Sequence, residues 1–326
     1  MIALLATLLL AALGSLAYLG FARRLQILDH PNHRSSHVQP TPHGGGVPLL
    51  LAFATGAAVA VLQYGLWPVE YLLLLGAALL LMLLGVVDDL LRLSVALRMA
   101  CYTAVCLLVA LFLLGESWSG PALLLLTVLA AFGLLWSLNL YNFMDGIDGI
   151  AAIQCIIACS CVALLVLGGG GDQRYVLFCL LLAAAQLGFL LFNWPPARLF
   201  MGDAGSVPTG FLLAALALLG WTGGIISPAC WMILGAVFIT DASWTLCRRL
   251  LQGKRITEAH REHAYQRLAR YWGSHLLVDL LLLAINALWL FPLAWLVTLW
   301  PQQAWILVIL AFLPVGIAMA RLRNLT

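Results

Sequence analysis

Long apolar runs alternate with short polar stretches along the whole chain. Roughly eleven runs can be placed, near 2–22, 46–64, 70–87, 98–114, 121–138, 150–167, 175–192, 207–221, 228–246, 275–297 and 303–320. Each approaches the length that crosses a bilayer as one helix. The pattern predicts an all-α integral membrane protein with about 11 transmembrane helices, organised as a single polytopic domain over 1–326. The longest polar stretches, 247–274 and 23–45, are too short for a separate soluble domain. The first run has no basic residue before it, and Arg23 and Arg24 follow it. That order predicts an uncleaved first helix, with a periplasmic N-terminus and a cytoplasmic C-terminus.

Composition supports a lipid-facing chain: 64% of residues are hydrophobic, 9% are charged, and mean hydropathy is +1.04. Charge placement adds a topology. With eleven spans, the inner loops are 23–45, 88–97, 139–149, 193–206 and 247–274. Of the 16 Lys and Arg residues, only Arg174 falls in an outer loop, a strong positive-inside bias. Most acids and all seven His share the inner side. The insertion rule does not account for Asp or His, so a site facing the cytoplasm is expected. No nucleic-acid partner is expected; the partners are the bilayer and whatever the inner loops bind.

The richest loop is Asn139-Leu-Tyr-Asn-Phe-Met-Asp-Gly-Ile-Asp-Gly149. Asp145 and Asp148 are three apart, the spacing of one helical face. With Asn139 and Asn142 they form a hard-oxygen set that suits Mg²⁺. The plainer reading is a polar loop capping two membrane helices. In loop 23–45, Arg34, His37 and His43 can meet anions, and the amides of Gly44, Gly45 and Gly46 can cradle a phosphate. Asp88-Asp89 places two like charges side by side, which calls for a cation or a proton between them. In 193–206, Asp203 and Ser206 can cap the next helix, or Gly202 and Gly205 can bring Asp203 to a metal–phosphate group. His260, His263 and Arg267 stand at i, i+3 and i+7, predicting one cationic helix face for a diphosphate; the alternative is a basic helix lying on anionic lipid. Asp241 is expected to pair with an arginine of this loop and position it. The eight cysteines form no CxxC pair, which suggests neither zinc nor a disulfide framework.

Taken together, Asp29-x-Pro-Asn, Pro-Thr-Pro-x-Gly-Gly, Asp88-Asp89, Asn-Phe-Met-Asp145-Gly-Ile-Asp148-Gly, Gly-Asp203-Ala-Gly-Ser and His260-x-x-His263 resemble the polyprenyl-phosphate N-acetylhexosamine-1-phosphate transferases, the WecA/MraY superfamily. The motifs follow the family order over essentially the whole chain. The His-Arg-Glu-His-Ala-Tyr-Gln-Arg segment is most similar to the WbpL-like branch that initiates O-antigen or capsule repeats. Two departures stand out: Arg92 replaces a third acid beside the Asp pair, and His43 occupies a position that is often Arg.

The resemblance implies transfer of a sugar-1-phosphate from a UDP-sugar to undecaprenyl phosphate, releasing UMP. It implies Mg²⁺ as cofactor, with Mn²⁺ an acceptable substitute, in a bacterial inner membrane, and it allows a homodimer. UDP-GlcNAc and UDP-N-acetylated 6-deoxyhexoses such as FucNAc or QuiNAc all fit. The roles it suggests are catalytic for Asp88, Asp89, Asp145 and Asp148, and metal-binding for Asp203 and Asp145. Substrate binding would fall to Asn139, Asn142, His260, His263, Arg267, Arg34, His37 and Gly45. Two rival classes fit less well. A lipid-linked-sugar transporter would hold its charges at the bilayer midplane, and an aromatic prenyltransferase has no use for the Gly-Asp-Ala-Gly-Ser and His/Arg loops.

Overall fold

A computed structural model describes residues 1–29, 40–254 and 260–322. The chain folds into helices α1 (Ile2–Arg24), α2 (Gly46–Tyr64), α3 (Val69–Leu91), α4 (Val95–Gly115), α5 (Gly120–Met144), α6 (Ile150–Gly168) and α7 (Gln173–Asn193). It continues through α8 (Asp203–Thr222), α9 (Pro228–Leu234), α10 (Ala236–Leu251), α11 (Ala264–Trp272), α12 (His275–Ile285), α13 (Phe291–Leu299) and α14 (Ala304–Leu322). Among the described residues, ten helices are long and apolar enough to cross a membrane, with α12 and α13 running as one span, 275–299. An eleventh crossing is made if α9 and α10 count together. The protein is an all-α, multi-pass membrane protein. Each expected run corresponds to one of these crossings.

The ninth crossing departs from the expected straight helix. α9 and α10 meet at a 71° bend. A break within a membrane leaves carbonyls without partners unless the protein supplies donors. Here Gln154 Nε2 on α6 donates to Leu234 O at 2.9 Å. Gln154 Oε1 in turn lies 3.5 Å from Asn286 Nδ2, at the start of a π-helical turn joining α12 to α13. A buried polar chain therefore holds the bend.

Tight crossings at small residues set the rest of the packing. α7 and α8 lie deepest, each with 78% of its apolar window buried, against 28% for α1 and α5. A methyl group on Gly46 would fall 2.1 Å from Gly205 N, so α2 meets α8 backbone to backbone. A methyl on Gly85 of α3 would fall 2.6 Å from Ala204 N, and one on Gly210 would fall 2.5 Å from Tyr141 Cβ on α5. Three helices thus converge on the first turns of α8. A short antiparallel pairing of β1 (Leu28–Asp29) with β2 (Thr41–Pro42) leads into the same region.

Candidate active site

Asp203 opens α8, after Gly202 at φ +70°. The positive end of the helix dipole favours an acid there. Asp88 and Asp89 lie in the last turn of α3, one turn beyond the Gly85 crossing, so the packing carries them to Asp203. Arg92 then closes α3 in a left-handed conformation, φ 51°. Ser94 accepts from Leu97 N at 3.3 Å to start α4, which brings Arg98 back over the acids. Arg98 Nη1 bonds closely to Asp88 Oδ2 and lies 3.3 Å from Asp203 Oδ2. His43 Nδ1 stands 3.7 Å from Asp89 Oδ2. The Asp pair therefore has the Arg98 guanidinium on one side and the His43 imidazole on the other, and Arg98 bridges it to Asp203.

The Asn139–Gly149 stretch divides in two. Its first half stays helical. Asn139 Nδ2 donates back to Leu135 O at 2.7 Å, and Asn142 Oδ1 accepts from Ser206 Oγ at 2.8 Å, which ties α5 to α8. Asp145 ends α5. Its side chain is partly exposed, yet it sits in dense surroundings: desolvation first, then the carboxylates of Asp203 and Asp148, push it well above the usual carboxylate range.

The second half turns away from the site. Asp148 Oδ2 accepts from Ala197 N at 3.0 Å and lies 3.2 Å from His275 Nδ1. Gly149 N donates to Asn193 Oδ1 at 3.0 Å, and Asn193 Nδ2 donates to Leu199 O at 3.0 Å. Asp148 was expected to be catalytic. The structure engages its carboxylate in joining loops 145–149 and 194–202 to α12. The three-residue spacing does not put the two acids on one face, because α5 stops at Met144 and the chain reverses through Gly149 at φ +80°.

Gly45 is engaged through its backbone. Its amide donates to Phe200 O at 2.9 Å, and Gly46 N donates to Met201 O at 2.9 Å. These glycines fasten the start of α2 to the 193–206 loop, and neither amide is left for a phosphate. Arg34 and His37 lie outside the described residues.

The His/Arg segment does not form one helical face. α11 begins at Ala264, so His260 precedes the helix and His263 is its N-cap. The reason lies on α10. Asp241, 1% exposed, accepts from Ala264 N at 2.9 Å and from Tyr265 N at 3.0 Å, and lies 3.3 Å from His263 Nδ1. An acid from another helix thus performs the capping. The expected Asp241–arginine pair is replaced by this cap and the His263 contact. Tyr265 Oη donates to Phe143 O at 2.8 Å, which holds α11 against the end of α5. Burial, then the neighbouring His263 and Arg249, lower His260 to about 4. His260 is therefore neutral at pH 7, not part of a cationic face. Arg267 Nε donates to Glu262 O at 3.0 Å, and Arg267 lines a small recess beside Arg248 and Trp244.

One cavity of about 550 Å³ joins these parts. Arg98, Asn139, Asn142, Asp203, His260, His263 and Gln266 supply its polar wall; Val95, Met99, Tyr102, Phe132, Leu135, Trp136, Phe143 and Leu246 supply its apolar wall. Along α5 the lining changes from Asn142 to Phe132, ten residues deeper, about 15 Å of helix rise. Phe132 is 63% exposed, so the apolar end reaches the lipid-facing surface. Of the expected residues, Asn139, Asn142, Asp203, His260 and His263 line this cavity. Asp88, Asp89 and Asp145 border it through Arg98 and Asp203. Sequence reasoning missed the bridging by Arg98, the latch residues Asn193 and His275, and Gln266. Asn193 carried one signal, a lone amide at a helix end before Trp-Pro-Pro.

Comparison with known proteins bears on this arrangement. Residues 71–221 match glycosyl transferase family 4, a span holding Asp88, Asp89, Asp145, Asp148 and Asp203. A phospho-N-acetylmuramoyl-pentapeptide-transferase of Geobacillus kaustophilus is 30% identical over 267 residues, 74% of this chain and 79% of that protein. The chain belongs to glycosyl transferase family 4. It is also 29% identical over 268 residues (78% of this chain, 73% of the other) to a Bacillus subtilis protein described as "Probable undecaprenyl-phosphate N-acetylglucosaminyl 1-phosphate transferase". A decaprenyl-phosphate N-acetylglucosaminephosphotransferase of Mycobacterium tuberculosis is 28% identical over 301 residues, 80% of this chain and 73% of that one. With this membership the chain is a membrane-embedded phosphoglycosyltransferase.

Proposed function

We propose that the protein transfers an N-acetylhexosamine 1-phosphate from a UDP-sugar to undecaprenyl phosphate and releases UMP. The reaction takes place at the cytoplasmic face of a bacterial inner membrane and starts a lipid-linked glycan such as O-antigen or capsule. The observation that carries this reading is the cavity itself. It joins an Arg/Asp/Asn/His wall, fit for phosphates, to an apolar trough that opens where lipid lies. A soluble nucleotide and a bilayer-held phosphate can meet only in such a place.

Two anions must approach each other. Unit charges 4 Å apart at an effective dielectric near 20 repel by about 4 kcal/mol. Arg98 supplies a fixed positive charge against that repulsion. In the proposed reaction a lipid phosphate oxygen attacks the β-phosphorus in line. Asp88 is held by Arg98 and positions it. Asp89, with His43 at 3.7 Å, is the better placed to orient or deprotonate the incoming phosphate. Asn139 and Asn142 bind the nucleotide, and neutral His260 offers a hydrogen bond to the diphosphate.

The donor set fits Mg²⁺. Asp145 carries a carboxylate that meets no hydrogen-bond donor among the described residues and faces two further acids, a placement that a cation relieves. No three His, Cys, Asp or Glu side chains among the described residues converge to hold an ion unaided. Mg²⁺ characteristically takes one or two carboxylates and fills its shell with phosphate oxygens and water. Asp203 and Asp145 would hold it, and it would neutralise phosphate charge there. The test is purified protein with undecaprenyl phosphate and UDP-GlcNAc, with and without Mg²⁺, following UMP. Release that requires Mg²⁺ and disappears in Asp203→Asn, with the variant still folded, is expected. Absence of UMP from any UDP-N-acetylhexosamine, or Asp203→Asn near wild type, contradicts the reading.

A further inference from the structure

One polar group on the cavity wall has no part in the chemistry above. Gln266, on α11, lines the cavity and is 8% exposed. Among the described residues its amide oxygen has no hydrogen-bond partner. A buried acceptor without a donor is costly and uncommon. The side chain is fixed at its base, because α11 is capped by Asp241 and bound to Phe143 O through Tyr265. Its nitrogen rests on the Asp145 turn, where a methyl on Gly146 would come within 3.0 Å of Nε2. The last torsion of a glutamine is broad, so a small rotation brings the oxygen to a bound molecule.

The chemistry of the ligand then follows by elimination. At neutral pH a diphosphate presents acceptors. A polyprenyl chain presents neither donor nor acceptor. A site built around an acceptor rewards a ligand that carries an N–H or O–H. We propose that Gln266 accepts a hydrogen bond from an N–H or O–H of the nucleotide sugar, which makes it a specificity-determining residue of the donor site. The proposal rests on the UDP-sugar reading. The donor group can belong to the sugar (its acetamido N–H or a hydroxyl) or to the uridine.

The experiment titrates detergent-purified full-length protein with UDP-GlcNAc, UDP-glucose and UMP by calorimetry, comparing wild type with Gln266→Met, which keeps the reach and loses the acceptor. Weakening of UDP-GlcNAc binding by about tenfold or more is expected, with the KM for undecaprenyl phosphate changed by less than about twofold. Equal weakening of UMP assigns the contact to uridine. Unchanged UMP with both sugars weakened assigns it to a sugar hydroxyl, and a loss confined to UDP-GlcNAc assigns it to the acetamido N–H. Wild-type affinity for UDP-GlcNAc in Gln266→Met overturns the proposal. If that variant lacks a cooperative melt, Gln266→Leu is held to the same criterion. Wild-type protein that binds none of the three ligands contradicts the transferase reading instead, whatever the variant does.

Discussion

The glycine crossing of α3 on α8 offers the sharpest test of how packing creates the site, because α3 carries its own control. A methyl on Gly85 would lie 2.6 Å from Ala204 N, 2.7 Å from Ala204 Cα and 2.9 Å from Asp203 C, all backbone of the turn that aims Asp203. Ordinary contact begins at 3.4 Å. In Gly85→Ala the two backbones must therefore part by about 0.8 Å, and no side chain can give way instead. Overpacking of this kind costs about 1–3 kcal/mol of stability. The functional effect is larger. Asp88 lies one turn from Gly85, and Arg98 reaches Asp203 at 3.3 Å. Parting the backbones stretches that bridge beyond hydrogen-bonding range, and a misplacement near 1 Å can cost about 10²-fold in rate. Gly76, about two and a half turns earlier on α3, would have nothing among the described residues within 4 Å of an added methyl, so Gly76→Ala should match wild type, stabilised slightly by better helix propensity. UMP release from purified protein gives kcat/KM, and a detergent melting curve gives stability. Gly85→Ala with wild-type kcat/KM would refute the claim that this crossing places the acids.

Two further outcomes are expected. Asp241→Asn should lower stability by about 1–2 kcal/mol through the weakened cap and raise the UDP-sugar KM more than it lowers kcat, measured by melting curves and steady-state kinetics, because the cap fixes the segment carrying His260 and Gln266. His260, lowered to about 4 by burial and by the neighbouring His263 and Arg249, gives a signed pH effect. Its ordinary value is near 6.5, so the unfolded chain takes up the proton first, and the stability contributed by neutral His260 is complete above pH 6.5 and falls as pH drops toward 4. Bound diphosphate favours the charged imidazole, so UDP-sugar affinity should strengthen as pH falls from 7 toward 5. Calorimetric titrations over that range should show the slope in wild type and its loss in His260→Ala.

Hydropathy made the crossings legible. The run 228–246 gave no sign of its 71° bend, since Ile233-Leu234-Gly235-Ala236 is as apolar as its flanks. The bend depends on Gln154, a donor 80 residues away that satisfies Leu234 O. The candidate site was legible as a set of polar residues and less so as a set of roles. Asp145 and Asp148 look equivalent in sequence, but Asp148 is engaged by Ala197 and His275 while Asp145 remains beside Asp203. The i, i+3, i+7 pattern of His260, His263 and Arg267 predicted one face, but the Asp241 cap starts the helix only at Ala264.

What is costly in lipid is written residue by residue along the chain. Apolar runs of bilayer length and charged groups confined to the loops follow from transfer free energies that each residue carries wherever it folds. Which of those loop groups engage one another, and which remain for a ligand, is settled by the packed helices alone. Hydrogen bonds and charge contacts act over a few ångströms, and the distances that set them come from backbone crossings at Gly46, Gly85 and Gly205. Those crossings join residues more than a hundred positions apart.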